Sequence, residues 1–156
     1  MAPLKRTKDL NGNTLNIMET LKLEELAPYL SYCLKVRFHN DRIEEIYGIT
    51  QSQVFIYGMG WLNFNEFKPI LRPLRDILTI PDIMVHFEDM AVSIIPRIKL
   101  KSALEISELF ITDPDRLNSY FRYNFWQELA KQHIDYQGLI DRGLALSLHD
   151  IKQEGR

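Results

Sequence analysis

Two prolines four residues apart, Pro69 and Pro73, punctuate the run Lys68-Pro69-Ile70-Leu71-Arg72-Pro73-Leu74-Arg75-Asp76-Ile77-Leu78. Each proline fixes φ and removes an amide donor, so neither one helix nor one central strand accommodates both. The run therefore predicts a fixed bend from extended to helical backbone. Such a bend presents Arg72 and Arg75 as bidentate donors for a phosphate or a carboxylate. The structural alternative pairs them with Asp76, Glu66 or Glu24 and pins the segment to the domain.

The chain has 156 residues, 46% of them apolar and 26% charged, with a net charge of −2. That length predicts one domain in which about two thirds of the unfolded surface becomes buried. Near-neutral charge argues against a protein devoted to wrapping nucleic acid, because phosphate neutralisation supplies most of that affinity. Cys33 is the only cysteine, which excludes an intrachain disulfide and a thiolate cluster. A reducing, cytoplasmic setting in a bacterial cell is the expectation. The basic start at Lys5, Arg6 and Lys8 runs into polar Asn11-Gly12-Asn13-Thr14 where a signal peptide has its apolar core, and no stretch approaches the roughly 18 apolar residues of a membrane span. No membrane partner is expected.

Residues 1–16 read as a flexible tail, 17–151 as a single α+β domain and 152–156 as a short C-terminal tail. Leu23, Leu26 and Leu30 share one face of a short helix that Pro28 cuts off. Alternation then takes over: Leu34, Val36 and Phe38 on a buried face, Lys35 and Arg37 on the wet one. His39-Asn40-Asp41 supplies a turn, and residues 42–49 return as a strand whose alternation slips at Glu44-Glu45, the expected place of a bulge. Gln53 to Met59 completes a three-stranded antiparallel meander. Gly58-Met59-Gly60 lacks the remaining residues of a phosphate loop and reads as a turn, after which Trp61-Leu62-Asn63-Phe64 leaves the sheet and folds back over it.

Ile83 to Phe87 and Ala91 to Ile95 are expected as a second hairpin, which extends the sheet to four or five strands. Pro96 to Lys101 alternates basic and apolar residues, and its Arg97, Lys99 and Lys101 are the candidates for contact with nucleic acid, against the plainer reading of a sheet edge protected by charge. Ser102 and Glu105 have capping-box spacing for a helix through Phe110, and Asp113-Pro114 starts another that runs to about His133, with Leu117, Tyr120, Phe121, Phe125 and Leu129 on its apolar face.

The stretches Leu23 to Leu30, Lys68 to Leu74 and His133-Ile134-Asp135-Tyr136-Gln137-Gly138-Leu139-Ile140-Asp141-Arg142-Gly143-Leu144-Ala145, in that order, resemble a family of small proteins of unknown function from phages and prophages of gut Bacteroidetes. Against the family pattern, Cys33 stands in place of glycine and Arg75 in place of serine. The resemblance implies a mobile-element origin and brings no catalytic residues with it.

No catalytic constellation is visible. His39, His86, His133 and His149 are scattered without metal-ligand spacing, and a thiol such as Cys33 is by default a buried structural group. Neither a metal nor a cofactor is expected. The expected fold is α+β: a small antiparallel sheet of three to five strands covered on one face by C-terminal helices around Phe121, Phe125 and Leu129. The expected function is a non-enzymatic accessory role, binding a host or phage protein, with homo-oligomerisation open. The alternatives are capture of a small phosphorylated ligand by Arg72 and Arg75, with Trp61 or Trp126 stacking, and nucleic-acid binding; His133 is a further candidate for contact with a ligand or partner.

Overall fold

A computed structural model describes residues 4–8, 14–98 and 102–154, with side chains over 19–89, 102–113 and 116–153. In chain order the elements are β1 (Leu4–Lys8), β2 (Thr14–Met18), α1 (Leu23–Leu26), a 3₁₀ segment (Ala27–Tyr32), β3 (Lys35–Phe38), β4 (Ile43–Ile49), β5 (Gln53–Ile56), β6 (Gly60–Asn63) and β7 (Phe67–Leu71). A second 3₁₀ segment (Leu74–Thr79) follows, then α2 (Pro81–Ile98), α3 (Ala103–Thr112), α4 (Pro114–Leu117), a 3₁₀ turn (Asn118–Tyr120), α5 (Tyr123–Lys131), β8 (Leu146–Ser147) and α6 (Leu148–Glu154). The chain falls into two compact units, Met1–Leu71 with Gln137–Arg156, and Arg72–Tyr136.

The first unit is built on a mixed sheet of six strands in the order β6-β5-β4-β3-β7-β8. The expected count of three to five falls short because Gly60–Asn63 pairs with β5 instead of leaving the sheet, and because β8 joins β7 in parallel. The meander itself forms as the alternation dictates, with Val36 and Phe38 buried and Lys35 exposed. Its irregularity sits between Ile46 and Gly48. The expected slip at Glu44-Glu45 does not occur, since both residues stay in register opposite Val36 and Lys35. The turn between β5 and β6 uses Gly58 and Gly60 at φ 78° and 86°, a left-handed backbone that glycine adopts without steric cost.

Backbone pairing also reaches the N-terminal stretch read as a tail. β1 and β2 are antiparallel from Leu4↔Met18 to Lys8↔Thr14. At the other end the predicted tail from residue 152 begins inside α6.

Arg142 ties this unit together. Its guanidinium donates through Nε and Nη2 to Glu19 at 3.0 and 2.6 Å and meets Glu25 at 2.6 Å. Glu25 also accepts the Lys22 amide at 2.9 Å, and its carbonyl accepts Gln137 Nε2 at 3.0 Å. Burial alone lowers the pKa of Arg142, but the two carboxylates overcome that effect and raise it.

The second unit is helical. Ile77, Ile83, Phe87, Ile106, Phe110, Leu117, Phe125, Leu129 and Ile134 form its buried core. Two predicted elements change here. The segment expected as a second hairpin is the single helix α2, with Pro81 at its first position and Asp82 in its first turn. Ile83 and Phe87, one helical turn apart, are both fully buried, so period-3.6 burial overrides the β propensity of an isoleucine- and valine-rich run. The long helix expected from Asp113 to His133 breaks at Phe121 and Arg122, both extended. Phe121 precedes the N-cap of α5 and packs edge-on against Trp126 with ring centroids 6.1 Å apart, a hydrophobic staple that sets the entry of α5. Phe125 and Leu129 are in the buried core of this unit, and half-buried Phe121 packs against it.

Candidate functional site

The side-chain period of a strand puts Ile46, Val54 and Ile56 on the buried face of β4 and β5 and leaves the other face for Phe55, Trp61 and the tyrosines. The backbone groups of Gln53 bond to Thr50, and those of Asn63 to Glu66, so both point away from the β5–β6 pairing. By alternation Phe55↔Trp61 is then the closely spaced, non-hydrogen-bonded kind of cross-strand pair. Their rings lie 5.3 Å apart at 56°.

Beside them the irregularity in β4 sets two residues, Tyr47 and Gly48, against Phe55. Gly48 leaves room for the indole: a β-carbon there would lie 3.4 Å from Phe55 Cβ and 3.8 Å from Trp61 Cη2. Tyr47 is thereby turned outward to meet Tyr57 at 6.2 Å. Trp61 is 51% exposed, Tyr47 65%, Tyr57 77% and Ile43 40%. Among the described residues these four, with half-buried Phe55, stand exposed on the outer side of the sheet. Ile43 lies opposite Arg37, which lies opposite Lys68, so a cationic flank adjoins Ile43, and Glu45 follows on the same face before Tyr47.

The remaining candidates do not converge. Arg72 is fixed by its backbone, donating to the His133 carbonyl and accepting from the Asp135 amide, both at 2.8 Å. The predicted bend is present, extended through Leu71 and 3₁₀ from Leu74. Arg72 is half-buried and Arg75 exposed, and among the described residues neither guanidinium pairs with Asp76, Glu66, Glu24 or any other carboxylate. Trp126 is half-buried at the margin of the helical core, packed against Phe110, Phe125 and Tyr136 at 5.4–5.9 Å. His133 sits at φ 56° as the left-handed residue ending α5, where its amide bonds to Ala130 and that of Ile134 to Leu129, closing a Schellman motif. Arg97 lies in the backbone of α2, which corrects the extended basic stripe, and Lys99 and Lys101 fall outside the described residues.

Cys33 is exposed, which corrects the default of a buried thiol. Its hydrogen bond to the Glu45 side chain, then the charge of that carboxylate, raise its pKa and oppose a thiolate. An open groove of about 620 Å³ runs beside α1, lined by Leu21, Lys22, Gln51, Ser52, Asn63 and Phe64 among others, and by no arginine. Among the described residues no three His, Cys, Asp or Glu side chains converge on a metal-sized site, and no helix is long and apolar enough to cross a membrane.

Sequence reasoning passed over Tyr47 and Tyr57. The available signal was Val54-Phe55-Ile56-Tyr57, apolar at both parities of a strand, which leaves one apolar set facing away from the core. Comparison with family models, curated proteins and solved structures found no match to this chain.

Proposed function

We propose that this chain is a non-enzymatic binding protein, a phage or prophage accessory factor that engages a host or phage protein through the aromatic face of its sheet. The observation that carries the reading is the exposure of Tyr47 on β4, Trp61 on β6 and Tyr57 in the turn that joins β5 to β6, with Ile43 exposed further along β4. Large aromatics are the residues that anchor interfaces, and a clustered apolar patch marks an interaction site where scattered exposure does not. The mobile-element setting rests on the resemblance of three sequence stretches alone. A reducing bacterial cytoplasm fits the single, exposed thiol.

Immobilised wild-type protein and a Trp61→Ala/Tyr57→Ala variant of unchanged circular dichroism, exposed to the same host extract, test the reading. A protein retained by the wild type and lost by the variant supports it, and identical retention by both refutes it. The two guanidiniums without a carboxylate favour a second reading, capture of a small phosphorylated ligand at Arg72 and Arg75. In that case calorimetry with a nucleotide gives heat that Arg72→Ala abolishes, with folding intact.

A further inference from the structure

Resting on the reading above, we infer that the partner presents a protein segment with an apolar centre and carboxylates along one side, lying across the sheet face instead of adding to its edge as a strand. Next to the aromatics the sheet ends at β6, one of its two outer strands. An added strand draws on a row of alternate outward N–H and C=O groups. Here the Asn63 amide is taken by the Glu66 carboxylate at 2.6 Å and the Asn63 carbonyl by the Glu66 amide at 3.1 Å. In the four-residue strand Gly60–Asn63 that leaves only the groups of Trp61 facing outward, too few for strand addition. The binding must come from side chains over the face.

Lys68 and Arg37 stand directly opposite each other, and like charges in that position repel. Asp41 meets Arg37 at 2.6 Å, but Lys68 has no ion pair among the described residues. Nor has Lys35 among the described residues, although Glu45 is its register partner. Among the described residues Lys35, Arg37 and Lys68 stand against Asp41 and Glu45 on this flank, an excess of one positive charge, and it borders the patch at Ile43, which lies opposite Arg37. A carboxylate placed over Lys68 and Lys35 relieves the repulsion while aromatic contacts supply most of the affinity. An excess of one charge is too small for a nucleic-acid backbone, whose binding draws on many phosphate contacts at once.

Randomised displayed peptides selected on the wild type, and counter-selected on Trp61→Ala/Tyr57→Ala, test this. The expected enrichment is an aromatic or aliphatic centre with Asp or Glu to one side. Binding of such a peptide should weaken about tenfold in Lys68→Glu and fall with added salt, because rim charges steer encounter. Enrichment of apolar peptides with no acidic excess overturns the charge inference and leaves the partner face standing. Enrichment indifferent to Trp61→Ala/Tyr57→Ala, or none at all, overturns both. A labelled oligothymidylate that binds more tightly than every selected peptide assigns the face to single-stranded nucleic acid and also overturns both.

Discussion

The sheet unit and the helical unit use the same residue types to opposite ends. In the helical unit Phe87, Phe110, Phe121, Phe125 and Trp126 turn inward, with most centroids 5.1–5.9 Å apart and Phe121 stacked on Phe125 at 3.8 Å. In the sheet unit Tyr47, Phe55, Tyr57 and Trp61 tile an outer face. The difference follows from side-chain period. A helix gathers its apolar residues on one stripe, which its neighbours cover, whereas a strand with apolar residues at both parities must leave one set outside unless another layer arrives. Aromatic content alone therefore says nothing of role.

The largest effect expected from breaking this contrast is in the helical unit. Phe125→Ala removes a side chain that is 1% exposed and touches several rings, and should cost about 3–5 kcal/mol in urea denaturation. In the sheet unit the comparable weak point is not aromatic. Arg142→Ala leaves Glu19 and Glu25 facing each other without their shared cation, and should cost about 2 kcal/mol, less than for a fully buried pair because all three groups keep some solvent. On the aromatic face Gly48→Leu should cost no more than about 1 kcal/mol while displacing the indole that lies over Gly48, seen as a changed Trp61 emission and weakened peptide binding.

The smallest effect concerns Cys33. Because Glu45 raises its pKa, the folded chain keeps the thiol proton longer than the unfolded chain does. The associated stability is intact below the ordinary thiol value of about 8.5 and fades as pH rises through the raised value. Alkylation at mildly alkaline pH should accordingly be slower than for a free thiol, and Glu45→Gln should speed it. An unchanged rate would show that the contact does not control the thiol.

The bend around Pro69 and Pro73, the meander and the Ser102 cap were readable in the sequence, because each depends on residues close in the chain. Ser102 indeed accepts the Glu105 amide at 3.2 Å. The second hairpin was misread because Ile83 to Ile95 has strand composition, and only the core that receives Ile83 and Phe87 selects the helix. The Arg142 bridge was not readable, since its partners lie 123 and 117 positions away in sequence. It joins the stretch Leu23 to Leu30 to the stretch His133 to Ala145. As for the site, Trp61 was named from sequence, but its neighbours Tyr47 and Tyr57 emerge only from the register and from the extra residue in β4.

The most direct test of the contrast needs no partner: the unfolding free energies of Trp61→Ala and Trp126→Ala, measured side by side in denaturant. Trp126→Ala should lose about 3 kcal/mol, as a large side chain removed from a ring cluster does, and Trp61→Ala less than about 1 kcal/mol. Equal losses would show that Trp61 is a structural residue of the sheet and would contradict the assignment of its face to binding.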